Sequence, residues 1–154
     1  MTPEFKLVEK LKARTLTLAL AESCTGGMIA QHVTSVAGSS AVFIGGVVCY
    51  ANAVKRDLLQ VPQDILDTCG AVSRETAVSM ATNARALFHT DLSAAVTGIA
   101  GPDGGTIDKP VGLVYIAALG PRGLVVRRYV FSGDRDCIRR QACATTLSML
   151  LEQL

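Results

Sequence analysis

Residues 18–27 read "LALAESCTGG": an apolar run, then an acid, a hydroxyl, a thiol, a second hydroxyl and a glycine pair. Three of these side chains can attack a carbonyl: Ser23, Cys24 and Thr25. A serine hydroxyl is a weak nucleophile and needs a base. The G-x-S-x-G elbow of histidine-assisted hydrolases is absent, because Ala21 stands where its first glycine belongs, and neither His32 nor His89 lies in a persuasive place. A lysine can serve as the base if burial disfavours its charged form. "YANAVK" offers one: Tyr50, Asn52 and Lys55 leave a strand end and enter a helical turn, so a phenol, an amide and an amine meet near one strand tip. The same residues also suit a solvated helix lysine, with Arg56 beside it. Cys24 is the rival nucleophile, and it would need a depressed pKa. Otherwise it is a small buried apolar residue. Glu22 can orient a lysine, hold a substrate or cap the next helix.

Two further segments can bind. "SGDRDCIRRQ" places Arg135 and Arg139 four residues apart, on one face near a helix start, an arrangement that suits an anion such as a phosphate. Pairing with Asp134 and Asp136 on a solvated face is the other reading. "TGIAGPDGGTIDKP", from Thr97 to Pro110, is too long for an ordinary connection. Its glycines let backbone N–H groups approach a ligand, unless it is simply a flexible surface loop.

The elements around these residues follow from periodicity. Phe5, Leu7, Val8 and Leu11 share a helical face, so Pro3–Ala13 is predicted helical. Thr15–Ala21 and Phe43–Tyr50 read as strands and Met28–Val36 as a short helix. Ala53–Leu59 and Pro62–Thr68 read as helical turns. Ser73 caps a helix running to about Phe88, and Asp134 caps a last helix reaching the chain end. Leu92–Thr97 is a buried strand. Gly112–Leu119 and Leu124–Phe131 form a hairpin around "GPRG". Helices and strands alternate early and strands cluster late. The expectation is one α/β layered domain over residues 1–154, with a mixed sheet flanked by helices.

Composition sets bounds on function. The 154 residues suffice for one domain with a real core. A net charge of +2, no Trp and 5% aromatics give no footprint for nucleic acid. No apolar run is long enough to span a membrane. Five cysteines, an odd number without a C-x-x-C pair, point away from disulfides and zinc and toward a reducing cytosol. Two histidines are too few for most metal centres.

"AESCTGG", "GSSAVFIGGVVCYANAVK", "GAVS", "TGIAGPDGGTIDKPVG" and "FSGDRDCIRRQA" occur in this order. Together they resemble the C-terminal domain of the CinA proteins, in the stand-alone form of the nicotinamide-nucleotide amidohydrolases. The likeness runs from about Val8 to Leu151. Larger CinA proteins carry this domain after a nucleotide-cleaving, molybdopterin-binding-like domain. These 154 residues hold no counterpart of it, and its activity is not carried over.

The resemblance implies a Ser/Lys dyad helped by a tyrosine: Ser23 as nucleophile, Lys55 as base and Tyr50 as helper. It implies deamidation of nicotinamide mononucleotide to nicotinate mononucleotide and ammonia, without metal or organic cofactor. The proton of Ser23 would pass to Lys55 directly or through Tyr50. Backbone N–H groups near Thr25-Gly26-Gly27, or in the Gly98–Gly101 turn, would form the oxyanion hole. Arg135 and Arg139 would hold the phosphate. Gly45, Gly46, Asn52 and the loop from Thr97 to Gly105, with Gly98 and Gly101, would shape the ribose and ring pocket. A homo-oligomer, no nucleic-acid or membrane partner, and a cytoplasmic location complete the expectation. Two alternatives are a non-catalytic nucleotide-binding regulatory module, fitting the family's link to competence and DNA damage, and an amidase for another pyridine nucleotide amide.

Overall fold

The apolar periodicities become six α-helices and five strands in the computed structural model, which describes residues 1–154. Helix α1 (Pro3–Arg14) buries Leu7, Val8 and Leu11. Strand β1 (Leu18–Glu22) is buried along its whole length. Then come α2 (Met28–Thr34), β2 (Phe43–Val48), α3 (Asn52–Asp57), α4 (Gln63–Thr68) and α5 (Arg74–Phe88). Strands β3 (Leu92–Gly98), β4 (Leu113–Gly120) and β5 (Gly123–Val130) precede α6 (Arg135–Glu152). The expected caps form: Ser73 Oγ accepts from Thr76 N–H at 3.1 Å and Asp134 from Cys137 N–H at 2.9 Å.

The sheet order is β2-β1-β3-β4-β5. β1 runs parallel to both β2 and β3, as helical crossovers require. β4 and β5 add antiparallel, joined by the tight hairpin in which Gly120 faces Gly123. The mixed sheet expected from the sequence is therefore present. One face carries α1, α2 and α6, packed on Leu18, Leu20, Val96, Val114 and Ile116. The other carries α5, packed on Ala21, Ala95 and Ala117. Alanines on that side let α5 approach closely. No helix is long and apolar enough to cross a membrane.

β1 starts three residues later than periodicity predicts. Thr15 closes α1 in the left-handed region (φ 56°), its N–H donating to Lys12 O. Thr17 is then tied by its N–H and hydroxyl to Asp91 at 2.8 and 2.9 Å. β2 ends two residues early, because the chain turns at Cys49 and Tyr50.

β1 connects to β2 on one side, whereas β3 connects to β4 on the other. Open α/β sheets bind ligands beyond the strand C-termini at such a reversal. Ser23 lies there, with its N–H donating to Val96 O of β3 at 3.0 Å.

Candidate active site

The turn after β1 is built around a buried acid. Glu22 is 2% exposed and accepts from three backbone N–H groups: Gly27 at 3.0 Å, Ile29 at 3.2 Å and Ala30 at 2.8 Å. Of the three roles open to Glu22, capping the next helix is the one it fills. Gly26 and Gly27 have φ of +59° and +102°, which turn the chain from strand to helix. Gly26 N–H donates to Ser23 O and Met28 N–H to Thr25 O. The turn holds Ser23 nearly buried at the strand tip.

Lys55 reaches the same point from α3. It is 1% exposed, and its Nζ lies 3.0 Å from Ser23 Oγ, 2.8 Å from Cys49 O and 3.1 Å from Tyr50 O. No carboxylate pairs with it among the ion pairs of the molecule. A neutral amine fits this cage: two N–H groups donate to the two carbonyls, and the lone pair faces the serine hydroxyl. Burial pushes the amine pKa below its usual range. Thiolates at Cys49 and Cys24 would oppose that shift. Burial raises both thiols, Cys24 to about 11, so both stay protonated near neutrality. Lys55 Nζ contacts Ser23 Oγ and makes no hydrogen bond to Cys24 Sγ, which leaves the protonated thiol without an adjacent base.

A cleft of about 390 Å³ opens beside Ser23, lined by Ser23, Cys24, Gly26, Val48, Tyr50, Arg135 and Arg139. Arg135 donates from Nη2 to Tyr50 Oη at 3.0 Å and from Nη1 to Gly101 O at 2.6 Å. Arg139 donates from Nε to Cys24 O and from Nη2 to Thr25 O, both at 3.0 Å. A larger cavity of about 590 Å³, between α1, α2 and α6, includes neither Ser23 nor Lys55. No cluster of three or more His, Cys, Asp or Glu side chains could hold a metal ion.

Residues 2–154 match the family model of the CinA C-terminal domain. The chain belongs to the CinA C-terminal domain family. A CinA-like protein of Geotalea uraniireducens is 58% identical over 123 residues, covering 80% of this chain and 29% of its own. A CinA-like protein of Geobacter sp. strain M21 is 52% identical over 149 residues, covering 97% of this chain and 36% of its own. This CinA domain therefore spans about a third of the length of the curated relatives it matches. Among solved structures, the competence/damage inducible protein CihA of Agrobacterium tumefaciens superposes with a TM-score of 0.92. It shares 40% identity over 99% of this chain and 96% of its own. A CinA superfamily protein of Escherichia coli gives a TM-score of 0.95 at 32% identity, over 99% and 88% of the two chains.

The CinA domain brings Ser23, Lys55, Tyr50, Gly26, Arg135 and Arg139 together and leaves other expected residues outside. Gly45 and Gly46 lie away from the cleft. They lie in mid-strand opposite Ala19 and Leu20. A Cβ on Gly45 would sit 2.9 Å from the Phe88 ring, and one on Gly46 2.8 Å from Leu20 O. These glycines let α5 and β1 close on β2 and do not line the cleft beside Ser23. Thr97 is buried and donates to Ala71 O at 2.7 Å, and Gly98 packs on Val114. Both hold the scaffold beneath the site. Asn52 is exposed at the start of α3 and does not line the cleft.

The tyrosine also differs from expectation. Its phenol bonds Arg135, whereas its backbone carbonyl holds Lys55. Ser23 Oγ and Lys55 Nζ touch directly at 3.0 Å, and the Tyr50 phenol makes no hydrogen bond to either. Thr25 is fully buried, and its Oγ is the one buried side-chain oxygen without a partner. Gly27 N–H is spent on Glu22 and Gly26 N–H on Ser23 O, so neither is free for an oxyanion. The N–H groups of Cys24 and Thr25 carry no hydrogen bond. Sequence reasoning missed the carbonyls of Cys49, Tyr50 and Gly101, which no side-chain pattern announces.

Proposed function

We propose that this CinA domain is a metal-independent serine amidohydrolase that converts nicotinamide mononucleotide and water into nicotinate mononucleotide and ammonia. The observation that carries the reading is the buried Lys55 amine, 3.0 Å from Ser23 Oγ, held by two carbonyls with no neutralising carboxylate. Lys55 takes the serine proton as Ser23 Oγ bonds to the carboxamide carbon. The carbonyl oxygen becomes an oxyanion beside the free N–H of Cys24, which lines the cleft. One such donor is worth about 3–4 kcal/mol in the transition state. The intermediate collapses by breaking the C–N bond. The Lys55 ammonium protonates the departing nitrogen, and ammonia leaves. Water then adds to the nicotinoyl-serine ester, giving its proton to Lys55. Cleavage of the ester C–O bond returns that proton to Ser23.

Specificity rests on the outer wall. Arg135 and Arg139 each spend two of five N–H donors on protein oxygens, which leaves donors on both for a phosphate. The five unpaired thiols suit a reducing cytosol. The test is ammonia and nicotinate mononucleotide formation from nicotinamide mononucleotide, in the presence of chelator, with native protein beside Ser23→Ala. Native turnover that vanishes in the variant is the expected result. Turnover in Ser23→Ala rejects the mechanism. Nucleotide binding without turnover by native protein would instead favour a regulatory binding module.

A further inference from the structure

We infer that the cavity between α1, α2 and α6 is a second ligand site, which takes a small amphiphilic organic cation and is separate from the cleft beside Ser23. Its volume of about 590 Å³ is that of a small-molecule pocket. Three helices meet here, and the short side chains of Pro3 on α1 and Ala144 on α6 leave the space between them open. Met28, Cys143 and Leu147 give the cavity an apolar floor, the last two only 2% exposed. Burial pushes the Cys143 thiol up to about 12, so it adds no charge.

The rim holds a carboxylate that no cation matches. Asp136 and Arg140 pair with each other at 2.7 Å. Glu4 has no such partner. Its side chain is only 16% exposed, and the one basic group within 4.0 Å, His32 Nδ1, stands 3.8 Å away, beyond hydrogen-bond range. The Glu4 backbone N–H at the start of α1 holds the carboxyl below its usual range, so it is charged at neutral pH. A carboxylate largely screened from water gains most from a charged donor. A ligand with an apolar body on the floor and an ammonium or amidinium at Glu4 satisfies both features. The cleft beside Ser23 has the opposite character, with two arginines and no carboxylate. Helix α6 serves both sites by its period: Arg135 and Arg139 line the cleft, whereas Asp136, Arg140 and Cys143 line the cavity. The two sites therefore select ligands of opposite charge.

The experiment titrates the full chain, isotopically labelled at its methionine methyls, and follows it by nuclear magnetic resonance. The probes are phenylbutylamine, phenylbutanol and phenylbutyrate, which share one apolar body and carry positive, zero and negative charge. The buffer is alkaline enough to leave imidazole neutral and the amine charged. Of the four methionines only Met28 lines the cavity, while Met80 and Met149 lie in the two cores. Met28→Leu assigns its signal. The amine should shift the Met28 methyl and leave Met80 and Met149 in place. Its Kd should lie about tenfold or more below that of the alcohol, the size of a charged hydrogen bond. The acid should bind more weakly than the alcohol. Glu4→Gln removes the charge and keeps the shape, so the amine should fall to the level of the alcohol. Thermal melting reports that the variant folds, and the three probes on native protein give the comparison without it. A Met28 signal unmoved by millimolar amine overturns the inference. So does equal binding of amine and alcohol by native protein, or an amine that binds folded Glu4→Gln as tightly as native protein.

Discussion

Replacing Lys55 by methionine removes one amine and little volume. In the native protein Nζ lies within 3.1 Å of Ser23 Oγ and two backbone carbonyls. No second amine, imidazole or carboxylate lines the cleft: beside Ser23 stand the protonated Cys24 thiol, Tyr50, already bonded to Arg135, and the two arginines. Loss of a positioned general base costs about 10²–10⁴ in rate. At 1.36 kcal/mol per decade that is about 3–5 kcal/mol of barrier.

The pH dependence gives a second readout. Burial lowers the pKa of Lys55, so the active neutral amine forms below the usual lysine range. Native kcat/KM rises with pH through that depressed value, and Lys55→Met lacks this limb. Stability follows the same sign. Between the folded pKa and about 10.4, the unfolded chain binds more protons than the native one. Native protein therefore gains stability as pH rises across that window, and the methionine variant lacks that increment. The assays are ammonia release across pH and denaturant unfolding at two pH values inside the window. A variant within tenfold of native activity, with the same alkaline limb, refutes Lys55 as the base.

Glu22→Gln presents an NH₂ to at least one of the three N–H donors the carboxylate now accepts, and should cost about 2–4 kcal/mol in urea unfolding. Gly46→Ala forces a Cβ against Leu20 O and should cost about 1–3 kcal/mol, with KM unchanged in the folded fraction. A raised KM at unchanged stability would return Gly46 to the binding site. Arg135→Ala should raise KM for the nucleotide about 10–100-fold and leave the riboside unaffected, the size of a lost charged hydrogen bond. Equal effects on both substrates assign Arg135 to holding Tyr50 and the Gly101 loop.

The elements with strong period or cap chemistry were legible in the sequence. The Ser73 and Asp134 caps and the hairpin at residues 120–123 form where their patterns place them, and β1 forms within its apolar run but three residues late. Ser23, Lys55 and the arginine pair were legible because nucleophile, amine and guanidinium are side-chain properties. The packing role of the glycine pair in β2 was not legible, since glycine that admits a ligand and glycine that admits a neighbouring strand look alike in one sequence. Only the Phe88 ring and Leu20 O distinguish them. The division of labour between Arg135 and Arg139 was hidden too. It depends on which backbone carbonyls a loop of positive φ brings beneath each one.

The Lys55 amine is gripped by the backbone of residues 49 and 50. No single replacement at Cys49 or Tyr50 can delete a carbonyl, so the grip tolerates many side chains there. Chain length is the sensitive variable. Lys55 lies six positions after Cys49, and α3 starts within that interval. Inserting or deleting one residue there rotates the lysine off its cage by about a quarter turn or more. A substitution scan would find this segment permissive, whereas an insertion scan would find it among the least tolerant in the molecule.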